Sequence, residues 1–118
     1  MSLSVPRLES RPEGSHTVVR IVGCDSLNEY NCDALGRLFS ALADGTPDPY
    51  VVLDLSGISY ASSSALGALV ALNRRLRSRG GRLALSGLCP VVAAALAVTR
   101  LDTLFEIRPT DGLRRLPA

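Results

Sequence analysis

The sequence predicts an α/β fold: one mixed, mainly parallel β-sheet of four to five strands with helices packed against it. Three observations carry this. Segments rich in β-branched residues alternate with segments whose apolar residues recur at helical spacing. The chain between successive strands is long enough for a helical crossover, as parallel neighbours require. One strand, "YVVLDLSG" (50–57), is a nearly continuous apolar run, as expected of a central strand covered on both faces.

The elements follow in order. "LSVPRLES" (3–10) suits an edge strand, where Pro6 is tolerated, and "RPEG" (11–14) supplies turn chemistry before "HTVVRIVG" (16–23), a β-branched strand that ends on glycine. This first pair is expected to be antiparallel. From Asn31 the apolar residues Leu35, Leu38, Phe39 and Leu42 recur at i, i+3, i+4 and i+7, and Gly45 in "ADGTPDP" ends that helix. After the central strand comes "SYASSSALGALVAL" (59–72), which opens a helix carrying Leu66, Leu69, Val70, Leu72 and Leu76. Its arginine-rich end, "NRRLRSRGG" (73–81), suits a helix C-terminus and is broken by glycine. "RLALSG" (82–87) is a further strand and "PVVAAALAVT" (90–99) a short helix with Pro90 at its first position. "LDTLFEIRP" (101–109) is read as a last short strand, and the tail "TDGLRRLPA" (110–118) holds at most a partial helix.

At 118 residues the chain fits a single domain over 1–118, with its core in about 5–108 and a short tail at 109–118, and such a domain needs no staples. Hydrophobic residues at 47% and charged ones at 20% are ordinary for a globular protein. All 13 basic residues are arginine, yet the net charge of +2 is too small to imply a nucleic-acid or membrane partner. Cys24, Cys32 and Cys89 are odd in number and lack CxxC spacing, so neither a disulfide framework nor a metal site is expected. Free thiols fit a reducing cytoplasm. The first residues show no apolar signal region and no run is long enough to span a bilayer, so a cytoplasmic protein without membrane insertion is expected.

Catalysis needs a constellation, and the usual ones are missing. The lone His16 falls in a strand or its turn, no G-x-S-x-G elbow surrounds the serines, and no loop matches a phosphate cradle. The carboxylates are dispersed. "RRLRSRGGR" (74–82) is the one basic cluster; it has no interleaved aromatics and reads as a solvated helix end complementing the dipole. Cys89, just before Pro90, reads as a small residue in a loop at a helix N-terminus. No enzyme activity and no cofactor are expected.

The three serines Ser62, Ser63 and Ser64 remain. One of them can cap the helix by accepting a bond from a free amide of its first turn. Two hydroxyls are then left at an exposed helix mouth. A phosphate added there gains from the N-terminal dipole and open amides, whereas a partner packed flat on the mouth would meet a bulky dianion.

Taken together, "VVRIVG", "VVLDLSGISYASSSALGAL", "RSRGGRLALSG" and "LDTLFEI" make the chain resemble the STAS domain family over roughly residues 5–108, and within it the bacterial anti-sigma factor antagonists. In that family the turn after the central strand reads Asp-Ser-Ser/Thr-Gly-Leu, and its first serine is phosphorylated by a partner that is both kinase and anti-sigma factor. The pattern falls on Ser62, Ser63, Ser64, Ala65 and Leu66, which makes Ser63 the implied phosphorylation site. Ser62 stands where the family has aspartate and Ala65 where it has glycine. The family's upstream Gly-Glu-Leu-Asp is altered to "GCDSLNEYNCDAL", where Asp25 is the nearest aspartate.

The resemblance implies an anti-sigma factor antagonist, a monomer or weak dimer. It would use Asp25, Ser62, Ser63, Ser64, Ala65 and Leu66 to bind an anti-sigma factor of the histidine-kinase-like ATPase fold and release a sigma factor. A serine phosphatase would reset the switch. A STAS subunit of a phospholipid-transport ABC system, or a stress-sensing scaffold without the switch, is the alternative.

Overall fold

The computed structural model describes residues 5–46 and 50–108. The tail expected at 109–118 lies outside them. Alternation in the strand "HTVVRIV" sorts side chains to two faces: in β2 (His16–Val22), Val19 and Ile21 are buried while Arg20 between them is exposed. β2 pairs antiparallel with β1 (Arg7–Glu13) and parallel with β4 (Tyr50–Asp54). β4 pairs parallel with β6 (Arg82–Ser86), and β6 with β7 (Glu106–Arg108). The result is one mixed five-stranded sheet in the order β1-β2-β4-β6-β7.

Between the strands lie α1 (Cys32–Gly45), α2 (Ser63–Ser78) and α3 (Pro90–Val98). Val19, Ile21, Val51, Leu53, Leu83 and Leu85 form one row of the sheet and share a single core with Leu35 and Phe39 of α1, Leu69, Leu72 and Leu76 of α2, and Val92 and Leu96 of α3. Val52 and Ala84 point to the other face and are buried as well, so the central strand is covered on both sides.

Three details depart from the sequence reading. The first strand runs on through Pro12 and Glu13, and the reversal is made by Gly14 and Ser15, with Gly14 at φ +66°. Pro12 sits at the non-hydrogen-bonded pair with Thr17 on an edge strand, where a missing N–H interrupts no ladder. A separate parallel ribbon joins β3 (Ser26–Leu27) to β5 (Tyr60–Ala61). The segment read as one strand over 101–109 is a 3₁₀ turn at Leu101–Thr103, followed by a strand only at Glu106–Arg108. Chain leaving α3 must first reverse, and Leu104 N–H closes that turn on the Leu101 carbonyl at 2.9 Å.

Candidate functional site: the serine mouth of α2

α2 begins where the chain comes off the β5 ribbon. Ser62 is the residue before the helix, with extended backbone, and its Oγ accepts the Ala65 N–H at 3.2 Å. Its own N–H donates to the Leu27 carbonyl at 2.7 Å, and its carbonyl accepts the first helical bond from Leu66 at 2.9 Å. Ser62 is therefore fully engaged and only 7% exposed. Ala65 and Leu66 are buried at 1% and 3% and belong to the core, so the methyl group that distinguishes Ala65 from glycine is absorbed inward. Of the motif, only Ser63 and Ser64 reach the surface. They occupy the first two helical positions, where backbone amides have no intrahelical partner.

A scaffold of backbone bonds holds this mouth. Ser26 and Leu27 lie beside Tyr60 and Ala61. The Asp25 carbonyl accepts from Ser59 twice, from its N–H at 2.8 Å and its hydroxyl at 3.0 Å. Asp25 thus joins the site through its main chain, while its side chain is exposed. The thiol of the neighbouring Cys24 is pushed above its ordinary pKa by burial and by the Asp25 charge. Cys89, the residue capping α3, approaches the Ser59 carbonyl at 3.7 Å and brings that helix's N-terminus to the same end of the sheet.

The sequence reading missed a pair of asparagines. Asn31, 6% exposed, accepts the Asn28 N–H at 2.9 Å and donates to the Ser26 carbonyl at 2.9 Å. Asn28 in turn accepts the Tyr30 N–H at 2.9 Å and donates to Ser26 Oγ at 2.9 Å. These bonds tie the loop between β3 and α1 back onto β3, whose Leu27 carbonyl accepts from Ser62. An asparagine ahead of a helix reads as a simple cap, yet Asn31 makes no side-chain cap bond here. Two exposed tyrosines were also not singled out. Tyr30 is 96% exposed on that loop, and Tyr60 is 49% exposed two residues before Ser62.

Among the described residues no group of three or more His, Cys, Asp or Glu side chains could hold a metal ion. No helix of the described chain is long and apolar enough to cross a membrane.

A family model described as "Mlab, STAS domain" matches residues 9–109. An anti-sigma-factor antagonist (STAS) domain protein from Planctomyces limnophilus is 24% identical with a TM-score of 0.79, over 91% of this chain and 93% of that one. An anti-sigma factor antagonist from Mycobacterium paratuberculosis is 22% identical with a TM-score of 0.77, over 94% and 92%. The phosphorylated form of the Bacillus cell fate determinant SpoIIAA is 17% identical with a TM-score of 0.64, over 93% and 96%.

Proposed function

The chain belongs to the STAS domain family, and on that premise we propose that it is an anti-sigma factor antagonist switched by phosphorylation at Ser63. One observation carries the reading: Ser62 is consumed as a buried cap, which leaves Ser63 exposed at the first turn of α2, at the family's phosphorylation position. In the unphosphorylated state the mouth, with Tyr60 two residues before Ser62, packs flat on an anti-sigma factor of the histidine-kinase-like ATPase fold. A sigma factor is released. Phosphate on Ser63 gains from the free amides of the first turn but must be desolvated if the contact is to form. Its bulk and charge therefore oppose docking, and a serine phosphatase restores it. The protein is the substrate of ATP chemistry and not its catalyst.

The test is incubation with a kinase-like anti-sigma factor from the same organism and ATP, read by intact mass and site mapping. One phosphate is expected on the wild type and none on Ser63→Ala. Phosphate accepted by Ser63→Ala, with an unchanged response to the kinase, overturns the assignment.

A second reading is favoured by the loss of the family's aspartate at Ser62 together with the description of the matching family model. In it the same mouth binds the ATPase of a phospholipid-transport ABC system and carries no phosphate. A pull-down that recovers a transporter ATPase and no kinase-like protein selects it.

A further inference from the structure

The peptide group between Leu27 and Asn28 is bonded on both sides by residues of other elements. Its N–H, that of Asn28, donates to Asn31 Oδ1 at 2.9 Å, and its carbonyl, that of Leu27, accepts the Ser62 N–H at 2.7 Å. In a trans peptide these two groups point in opposite directions, so Asn31 and Ser62 lie on opposite sides of one rigid plane. Asn31 Nδ2 holds the preceding peptide too, through the Ser26 carbonyl at 2.9 Å. Asn31 is the residue before α1 and Ser62 the residue before α2. The starts of two helices are thus joined through a single peptide group. Asn31, Leu27 and Ser62 are all buried, which keeps water from competing for these bonds. The Asn31 side chain makes no cap bond to its own helix and is given over to the β3 segment.

We propose that Asn31 is the positioning residue of the serine mouth and, on the reading that Ser63 accepts phosphate, sets the Ser63 hydroxyl for that transfer. A donating N–H strengthens the carbonyl of the same peptide as an acceptor. Loss of Asn31 therefore weakens the Ser62 bond and frees the peptide plane to turn. Ser62 passes the constraint on: its Oγ accepts from Ala65 at 3.2 Å and its carbonyl from Leu66 at 2.9 Å, closing over Ser63 and Ser64. In the transfer, Ser63 Oγ attacks the γ-phosphorus of ATP; the new O–P bond forms as the bond to ADP breaks, and the hydroxyl proton is released. Attacking and leaving oxygens must lie roughly in line, and a displacement of about 1 Å can cost on the order of a hundredfold in rate. Asn31 acts through Ser62 and not on the hydroxyl itself, so its loss falls on kcat and leaves KM in place.

The test combines the kinetics of Ser63 phosphorylation by a kinase-like anti-sigma factor from the same organism with the Ser62 amide proton shift in NMR spectra of the protein alone. Asn31→Ala is expected to lower kcat about tenfold, with KM within about twofold, and to move the Ser62 amide proton upfield as its bond lengthens. Asn73→Ala loses stability about 15 Å further along α2 and should match wild type in both. Asn31→Asp keeps an acceptor for the Asn28 N–H but sets a carboxylate oxygen against the Ser26 carbonyl. It should melt lower than wild type yet keep the Ser62 shift, and it carries the test if Asn31→Ala does not fold. An Asn31→Ala chain with wild-type kcat, or with its Ser62 amide unmoved, overturns the inference. So does an Asn31→Asp chain whose Ser62 amide moves upfield, or an Asn73→Ala chain slowed as much as Asn31→Ala. A wild-type chain that takes no phosphate on Ser63, while Asn31→Ala still moves the Ser62 amide, sinks the phosphorylation reading and upholds Asn31 as the residue that sets the mouth.

Discussion

Ser62 and Ser63 are adjacent and chemically identical, yet their side chains meet different surroundings and should respond differently to the same substitution. Ser62→Ala removes the bond to the Ala65 N–H and leaves a buried amide without its cap. It is expected to cost about 1 kcal/mol and to lower the thermal midpoint by about 3–6 °C. Ser63→Ala loses only solvent contacts and should stay within ~0.5 kcal/mol of wild type in the same melts. Arg100 is the one non-glycine at positive φ among the described residues, at +61° just past the end of α3. An L-residue pays for that conformation in contact between Cβ and carbonyl, so Arg100→Gly should raise stability by about 0.5–1 kcal/mol in urea unfolding. Capping was legible in the sequence because an Oγ and an amide three residues on are local partners. The role of Asn31 was not, because its partners depend on how the loop from Ser26 folds back.

At the level of elements, helix and strand identity came through the hydrophobic periods, and the joints between elements did not. Asn73 is such a joint. It is 6% exposed, donates from Nδ2 to the Leu104 carbonyl at 3.2 Å, and accepts the Leu83 N–H on Oδ1 at 3.1 Å. One side chain thereby ties α2 to β6 and to the segment that leads into β7. Asn73→Ala leaves two polar groups unpaired and is expected to cost about 2–4 kcal/mol in chemical denaturation. Asn73→Asp keeps the acceptor for Leu83 but sets a carboxylate oxygen against the Leu104 carbonyl in a buried site, and should lose at least as much. The starts of β4, β6 and β7 are joined in a similar way on the other face of the sheet. Tyr50 donates to Glu106 at 3.1 Å, Arg82 pairs with the same carboxylate at 2.9 Å, and its guanidinium lies 4.4 Å from the Tyr50 ring centre. His16, which sequence reading placed on a strand or its turn, sits on β2 with its ring 5.3 Å from that of Tyr50. The β3–β5 ribbon escaped notice because two-residue strands have no period to read.

Over the whole molecule, most of the basic cluster at 74–82 turns inward to other parts of the chain. Arg75 holds both carboxylate oxygens of Asp44 at 2.6 and 2.8 Å, Arg79 donates to the Ala43 carbonyl, and Arg82 is engaged with Tyr50 and Glu106. The first two contacts pin the C-terminal end of α1 to that of α2, and all three occupy guanidinium groups that a phosphate would need. No shift of a duplex DNA is therefore expected up to ~10 µM protein at physiological salt, the range in which non-specific binders act. A salt-sensitive gel shift would contradict this use of the arginines. The sequence by itself determined the fold class, the order of helices and strands and the resemblance at the serine turn, since apolar periodicity and cap chemistry act over a few residues. Only the tertiary structure decided which serine is consumed and which is free, that Ala65 and Leu66 face the core, and that α3 turns valines to solvent. Those outcomes depend on which distant strand or loop comes to lie against each residue, and no local spacing encodes that.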